Sequence, residues 1–252
     1  MAFLSTPAIV LRAVNYGDAD RIVTLFGRDT GRLSALARGA RKSQRRFAGG
    51  LGLGAVGVAA LRERSGAELL SLESFDVTAS HVSLGADVAR MAHTAYVAEL
   101  VSKLCAPRQV EREVYGGLLE ILDCLEAEGA SAERLRVFEL GLLGVLGFGP
   151  VVDRCASCGD GSAAAFRWDP DRGGAVCTAC ARGGRPITAE ARRALGHLAR
   201  VPLATAGREV LPSDVNRDCR EALMEIINHH ISGPLKSVEF IAKLSAASGG
   251  QP

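Results

Sequence analysis

The chain contains no hydrophobic run long enough to cross a membrane. Its longest uncharged stretches, residues 48–61 and 140–152, fall short of the roughly 20 apolar residues that a spanning helix needs, and glycine or proline interrupts both. The first ten residues also lack the basic start of a secretory signal peptide. We therefore expect a soluble cytoplasmic protein that does not act at a membrane.

Patterns that mark common catalytic sites are missing too. The chain has no Ser-His-Asp order, no phosphate-binding P-loop and no paired carboxylates in a glycine-rich setting. Residues 52–57 fit the spacing G-x-G-x-x-G, but a dinucleotide site needs a strand before this motif and a helix after it. Here a basic loop precedes the motif and a strand-like run follows, so we assign the glycines to a sharply bent strand. The sequence does not predict an enzyme.

Four of the seven cysteines form two C-x-x-C pairs with eighteen residues between them, namely Cys155, Cys158, Cys177 and Cys180. This spacing is typical of a zinc ribbon, in which four thiolates surround one Zn²⁺ and leave no coordination position open for catalysis. Metal binding supplies the folding energy that such a short, glycine-rich segment lacks. We predict one structural zinc ion at these four cysteines.

A disulfide pair or a redox dithiol would also use C-x-x-C pairs. Disulfides need an oxidising compartment, which the missing signal peptide argues against. A redox C-x-x-C usually occurs singly and beside a βαβ pattern. The other cysteines stand alone among apolar residues and are expected to pack as small hydrophobic side chains: Cys105, Cys124 and Cys219.

The net charge of +2 hides a strongly basic stretch. Residues 28–46 contain seven arginines or lysines and one acid, Asp29, so this stretch carries +6 and the rest of the chain −4. A basic patch on an otherwise slightly acidic protein is typical of a surface that binds a polyanion, whereas an ordinary solvated face mixes both signs. Phe47 is the nearest aromatic residue. The candidate phosphate contacts are Arg38, Arg41, Lys42, Arg45 and Arg46.

The first eighty residues have the pattern of β structure. Turn signals separate short β-rich runs, and the basic stretch continues between the third and the fourth of these runs, which lie at residues 8–14, 21–26, 31–37, 56–64 and 68–77. Five short strands with one long loop suit the oligonucleotide-binding (OB) fold, a five-stranded Greek-key barrel. We predict an OB-fold nucleic-acid-binding domain over residues 1–80.

From about residue 83 the hydrophobic period becomes helical. Apolar stripes predict helices that end near Pro107, Gly129 and Gly147, and two more near residues 188–199 and 213–231. The expected fold class is multi-domain α+β. An N-terminal OB-fold β-barrel is followed by an α-helical domain over residues 81–252, into which the four-cysteine zinc ribbon is inserted at residues 153–183.

The order of these motifs resembles that of the bacterial DNA repair protein RecO family, in its zinc-containing subfamily, over residues 5 to about 244. The resemblance is carried by YGDADRIVTLF at residues 16–26, ARGARK at 37–42, LGFGP at 146–150 leading into DRCASCG at 153–159, and PLKS at 234–237. Each of these motifs alone is weakly specific. Four of them in order are strongly specific.

The resemblance implies a non-enzymatic mediator of DNA repair and homologous recombination, in the RecF pathway. Members of this family bind single- and double-stranded DNA and anneal complementary strands. They act with the partner RecR to help RecA replace single-strand-binding protein (SSB) on DNA, and they recognise the acidic C-terminal tail of SSB. The protein would work in the bacterial cytoplasm, associated with the nucleoid when it acts. Some members lack the four cysteines, and this chain departs from others in the glycine-rich run after Phe47.

Other classes of protein share part of this pattern. An OB-fold plus zinc-ribbon module that binds RNA or associates with transcription has the same charge distribution, but it should prefer RNA over DNA. A metalloenzyme needs an open metal site with a glutamate or histidine nearby, and none lies beside the cysteine pairs. A scaffold that binds only proteins gives no reason for the +6 stretch.

Overall fold

The computed structural model describes residues 3–43, 45–48, 50–63 and 69–241. The chain begins with five strands, β1 (Phe3–Tyr16), β2 (Asp20–Gly27), β3 (Gly31–Ala37), β4 (Val56–Arg62) and β5 (Leu70–Ala79). Each predicted strand is confirmed, and β1 is twice as long as expected. The connection between the fourth and fifth predicted strands, which contains Ser65 and Gly66, lies outside the described residues.

The five strands pair in the order β1-β2-β3-β5-β4, and β4 pairs again with β1, so that the sheet closes into a barrel. Neighbouring strands are antiparallel except at a short parallel seam between β3 and β5, where Ala35 pairs with Leu70 and Leu36 with Ser71. Five strands in this Greek-key order form an OB fold. The predicted fold is confirmed.

The barrel core follows the two-residue period of a strand. In β3, buried and partly exposed residues alternate from Gly31 to Ala37, because successive side chains point to opposite faces of the sheet. Phe47 belongs to the same core although it lies in the long connection between β3 and β4. Its ring therefore fixes that connection to the barrel.

Five longer helices follow the barrel, α1 (Val88–Leu104), α2 (Arg112–Glu128), α3 (Ala132–Val145), α4 (Ala189–Leu198) and α5 (Ser213–His230). They match the five predicted helices. Side-chain hydroxyls cap two of them, because Ser131 accepts the N–H of Arg134 at 3.2 Å and Thr188 accepts that of Ala191 at 3.1 Å. In the described ranges no helix combines the length and the apolar character that crossing a membrane requires.

The chain forms two compact units, Met1–Gly129 with Leu235–Pro252, and Ala130–Pro234. Helices α1 and α2 thus belong to the same unit as the barrel. The C-terminal segment returns to this unit, where the carboxylate of Glu99 accepts the backbone N–H groups of Lys236 and Ser237 at 3.0 and 2.8 Å. The domain boundary that the sequence analysis places between residues 80 and 81 stays a prediction.

The second unit carries a small sheet between α3 and α4. Its strands β6 (Phe166–Asp169), β7 (Gly174–Cys177) and β8 (Arg185–Ile187) pair in the order β7-β6-β8. One C-x-x-C pair precedes the sheet, and the other begins at the last residue of β7. This sheet corresponds to the predicted ribbon, and its third strand lies just beyond the expected limit at residue 183.

Candidate functional site

The four predicted ligand cysteines converge on one point. Their Sγ atoms all lie within 4.8 Å of one another, and those of Cys158 and Cys177 are 3.8 Å apart. Thiolates at about 2.3 Å from a tetrahedral zinc ion stand about 3.8 Å from one another. Cys155 and Cys177 are buried whereas Cys158 is exposed, so the cluster lies at the edge of the ribbon. The spacing and the donor set fit a metal ion held by four sulfur ligands.

The backbone around Cys155 favours its thiolate, the form that binds metal. Its Sγ accepts the N–H groups of Ser157 at 3.4 Å, Cys158 at 3.5 Å and Cys177 at 3.3 Å. Burial opposes ionisation, but these hydrogen bonds outweigh it and lower the pKa of Cys155 to about 6. One ligand is therefore already prepared for a cation.

The four thiols crowd one another. Hydrogen bonds with Cys177 and Cys158, together with burial, raise the pKa of Cys180 to about 12. Four thiolates at this distance repel each other strongly unless a cation lies among them. The arrangement therefore suits a dication, which neutralises the cluster and holds all four sulfurs in place.

Two side chains fix the ribbon to α5. Trp168 of β6 is fully buried, and its indole N–H donates to the carbonyl of Ala222 at 2.9 Å. Arg185 of β8 donates to Asp218 at 2.5 Å and to Glu225 at 2.6 Å. Burial opposes ionisation of Asp218, but hydrogen bonds led by that from Arg185 outweigh it and lower its pKa. The ribbon that carries the four cysteines is thus part of the packing of the second unit.

The second candidate site is the basic segment, which we define as residues 38–46 between β3 and β4. Its cationic side chains are all exposed. Within the described residues none of them forms an ion pair, whereas other arginines of this unit do, among them Arg28, Arg62 and Arg112. The cations without an ion-pair partner are Arg38, Arg41, Lys42, Arg45 and Arg46, although Arg46 also attracts the carboxylate of Glu73 on β5.

The turn between β1 and β2 holds the start of the basic segment. The Oδ1 atom of Asp20 accepts the N–H of Gly39 at 2.8 Å, and the carbonyl of Ala19 accepts that of Arg41 at 3.0 Å. The guanidinium of Arg41 also donates to the carbonyl of Asp18 at 3.1 Å. The segment therefore projects from the barrel in a fixed position.

The C-terminal end of the basic segment contacts both the start of the segment and the barrel core. Arg46 donates through Nη2 to the carbonyl of Arg38 at 2.5 Å, and its guanidinium lies 5.3 Å from the centre of the Phe47 ring. Phe47 is only 4% exposed, so its ring cannot stack with an external group. Arg41 and Arg46 therefore shape the segment, whereas the other three cations point to solvent without a hydrogen-bond partner among the described residues: Arg38, Lys42 and Arg45.

The two basic residues at the start of the +6 stretch have structural roles. Arg28 pairs with Asp29 at 3.1 Å, and the same carboxylate pairs with Arg112 at 2.9 Å. The Nε–H of Arg32 donates to the carbonyl of Cys105 at 3.0 Å. Charge counting along the sequence does not separate these residues from the free cations.

Arg21 is a candidate contact that the sequence analysis missed. It pairs with Ala37 in the β2–β3 register, next to the first residue of the basic segment, and it donates to Asn15 at 3.3 Å. The signal was present in the sequence. A hairpin turning between Gly27 and Gly31 places Arg21 beside Ala37 by simple counting.

Comparison with known proteins gives one family over nearly the whole chain. The family model "Recombination protein O N terminal" matches residues 1–81, and "Recombination protein O C terminal" matches residues 85–239. DNA repair protein RecO of Anaeromyxobacter sp. (strain Fw109-5) is 39% identical over 252 residues, 98% of either chain. DNA repair protein RecO of Myxococcus xanthus (strain DK1622) is 35% identical over 237 residues, covering 94% of this chain and 96% of the relative. The protein of that name from Geobacter sulfurreducens is 35% identical over 239 residues, 94% of this chain and 97% of the relative.

Proposed function

The chain belongs to the recombination protein O (RecO) family of DNA repair proteins, and from that premise we propose that its barrel binds DNA and anneals complementary strands. The family consists of recombination proteins and not of enzymes, as the sequence predicts. Single- and double-stranded DNA are the proposed ligands. The binding residues are the cations of the basic segment, Arg38, Arg41, Lys42, Arg45 and Arg46.

One observation carries this proposal: five exposed cations stand on one fixed segment, without an ion-pair partner among the described residues. Cations of this kind displace the counterions condensed on DNA phosphates, which gives binding without sequence preference. Annealing needs phosphate charge to be neutralised while the bases stay free to pair. The burial of Phe47 supports this, because the segment offers phosphate contacts and no aromatic stacking.

For the four cysteines we propose a single Zn²⁺ with a structural role. Zinc prefers tetrahedral thiolate ligands, and a set of four leaves no position for a reacting water. The contacts of Trp168 and Arg185 with α5 support a role in packing, since they join the ribbon to a helix of the same unit. The second unit would then depend on the metal for its folding.

The partners proposed for the chain follow from the family resemblance. We propose that it acts with RecR, recognises the C-terminal tail of SSB and thereby assists RecA indirectly. The site of action would be the bacterial cytoplasm, with association to the nucleoid during repair. Among the residues described, the basic segment offers the charge that an acidic tail or a DNA strand requires.

Strand annealing is the direct test of the proposal. We expect the protein to accelerate pairing of complementary oligonucleotides, bare or coated with SSB. Because Arg41→Glu with Lys42→Glu reverses two of the five charges, this double variant should anneal at least tenfold more slowly. Fluorescence quenching between labelled strands measures both rates.

The competing RNA-binding function predicts a different result when DNA and RNA compete for the protein. An RNA module would bind single-stranded RNA more tightly than DNA of equal length and sequence. We expect unlabelled DNA to displace labelled DNA at least as well as RNA does. Clear preference for RNA, with no acceleration of DNA pairing, would replace the DNA proposal.

Substitution of Asp20 distinguishes an effect of charge from an effect of the position of the basic segment, because the two predict opposite changes in DNA affinity. Removing a carboxylate beside a basic segment should strengthen DNA binding if only charge matters. If the hydrogen bond to Gly39 positions the segment, Asp20→Ala should instead weaken oligonucleotide binding about fivefold, equivalent to about 1 kcal/mol. Fluorescence anisotropy at fixed salt measures the affinity.

The matched control is Asp20→Asn, which removes the charge and keeps an acceptor oxygen. We expect this variant to bind DNA at least as tightly as the wild type. Both variants should keep the wild-type melting temperature within a few degrees, because Asp20 is the first residue of β2 and is only partly buried. Tighter binding by Asp20→Ala than by the wild type would rule out the positioning role.

A further inference from the structure

A cavity of about 450 Å³ opens at one end of the barrel, beside the connection that follows the basic segment. We name it the Gly52 cavity. Residues 50–53 and Ala55 form one wall, and residues 80–82, 84 and 85 with Met91 and Thr94 of α1 form the other. This volume lies within the range of about 300–1,000 Å³ that small-ligand pockets occupy. The cavity is therefore large enough for one planar ring system.

The lining is apolar inside and cationic at one side. Leu51 and Leu84 are buried and form its floor, and Met91 is 39% exposed. A methionine thioether makes favourable contacts with aromatic rings and adapts its shape to them. Arg21 also lines the cavity and gives it a cationic residue. A flat aromatic group attached to an anion matches this combination.

Glycines leave one side of the cavity open. A Cβ atom added to Gly52 or to Gly85 would meet no heavy atom within 4 Å. Neither residue has a positive φ, so neither backbone conformation requires glycine. Gly54 differs, since its φ is 78° and an added Cβ would lie 3.3 Å from the side chain of Thr94. Gly52 and Gly85 thus line open space, whereas Gly54 packs close to two residues of the opposite wall, Thr94 and Leu84.

A buried histidine joins the two walls of the cavity through hydrogen bonds. His81 is 5% exposed, and its ring nitrogens lie 3.0 Å from the carbonyl of Gly54 and 2.9 Å from a carboxylate oxygen of Asp123 on α2. These bonds join the β3–β4 connection to the helices of the same unit. The cavity is therefore formed before any ligand arrives, which lowers the entropic cost of binding.

The Gly52 cavity is continuous with the basic segment. Arg21 pairs with Ala37, the residue before Arg38, and also lines the cavity. At the other end of the segment, the N–H of Gly50 bonds to the carbonyl of Phe47 at 2.9 Å, and the chain then enters the cavity wall. A polyanion that lies on the cations of this segment therefore passes the cavity opening.

We propose that the Gly52 cavity takes one unstacked nucleobase of a DNA strand whose phosphates lie on the basic segment. The proposal rests on the function proposed above and deepens it. Apolar pockets receive bases that have left the stack, and the cost of unstacking is least in single strands. A base in a duplex is paired and cannot enter, so the cavity confers a preference for single-stranded DNA. The flanking bases stay exposed to a complementary strand.

Filling the cavity tests this. Gly52→Leu places a side chain in the open space without backbone strain, and we expect it to weaken binding of single-stranded oligonucleotides about tenfold. Duplex binding should stay within twofold of the wild type, because it uses the phosphate contacts alone. Gly116→Leu is the matched control, since this glycine of α2 also has open space around it, lies outside the cavity and should change neither affinity.

A fluorescent base gives a second readout. An oligonucleotide containing 2-aminopurine becomes brighter when that base leaves the stack, so wild-type protein should raise the emission and Gly52→Leu should not. If Gly52→Leu binds single strands as tightly as the wild type, or if emission rises equally with both proteins, the cavity does not receive a base. If instead the wild type binds no DNA of either form, the proposed function itself fails.

Discussion

Replacing Cys155 by serine is expected to release the bound metal and to lower the melting temperature of the chain by more than about 10 °C. Cys155 is the most constrained of the four ligands, because its buried Sγ accepts three backbone N–H groups. Serine keeps the volume but does not supply a thiolate. A metal present at about a thousandfold its dissociation constant contributes about 4 kcal/mol to stability, and the variant forfeits this.

The loss of stability in Cys155→Ser should extend beyond the ribbon, because the ribbon sheet has almost no core of its own. Its three strands contain four, four and three residues. The largest buried side chain of this sheet, Trp168, reaches out of it to the carbonyl of Ala222 in α5. When the cysteines no longer hold the sheet, this contact with α5 loses its support. Unfolding of the ribbon should therefore loosen α5 as well.

Metal content and thermal stability must be measured on the same samples. Native mass spectrometry should show one zinc ion per wild-type chain and none on Cys155→Ser. Cys105→Ala is the matched control, because this buried cysteine lies outside the cluster and its variant should keep a full complement of metal. A variant at Cys155 that is free of metal but melts at the wild-type temperature would show that the metal has no structural role.

The elements and the convergence of the four cysteines were predictable because their signals are local. Hydrophobic residues recur with a period of 2 residues in strands and 3.6 residues in helices, and Gly31, Pro107 and Gly129 mark element boundaries. The C-x-x-C spacing likewise brings each pair of thiols together within one turn. The free cations of the basic segment follow from composition, since few acids lie near them in sequence.

The contacts that join distant elements were not predictable from one sequence. Trp168 meets Ala222 across 54 positions, and Glu99 meets Ser237 across 138. No local period encodes such pairs, because they depend on how folded elements pack. For the same reason, the sequence did not show that residues 235–241 rejoin the first unit, or that Arg28 and Arg32 are used in packing.

Replacing Arg38, Lys42 and Arg45 together by alanine is expected to flatten the salt dependence of DNA binding. Each phosphate contact adds about 0.9 to the slope of log K against log salt on duplex DNA and about 0.7 on single strands, so the slope should fall by about 2 to 3. Affinity at low salt should fall about a hundredfold and equally for all sequences, because phosphates carry no sequence information. Anisotropy titrations at several salt concentrations measure both quantities.

These three residues are chosen because they make no described contact that holds the fold. Arg46→Ala is the informative contrast, since it removes one phosphate contact and also the hydrogen bond to the carbonyl of Arg38. It should lower the affinity by more than one contact explains and broaden the distribution of segment conformations. The triple variant should keep the wild-type melting temperature, because exposed, unpaired cations contribute little to stability.

The control for charge alone is Arg28→Ala, which removes a cation of the same +6 stretch that is paired with Asp29 at 3.1 Å. Net charge acting at a distance predicts that Arg28→Ala lowers the slope as much as any single substitution in the basic segment. Contact with phosphate predicts little change, because Arg28 lies outside the basic segment and its guanidinium is engaged with Asp29. If Arg28→Ala and Arg38→Ala flatten the slope equally, binding depends on the overall charge of the barrel and not on the position of the basic segment. An unchanged slope in the triple variant would exclude these residues from the DNA-binding surface altogether.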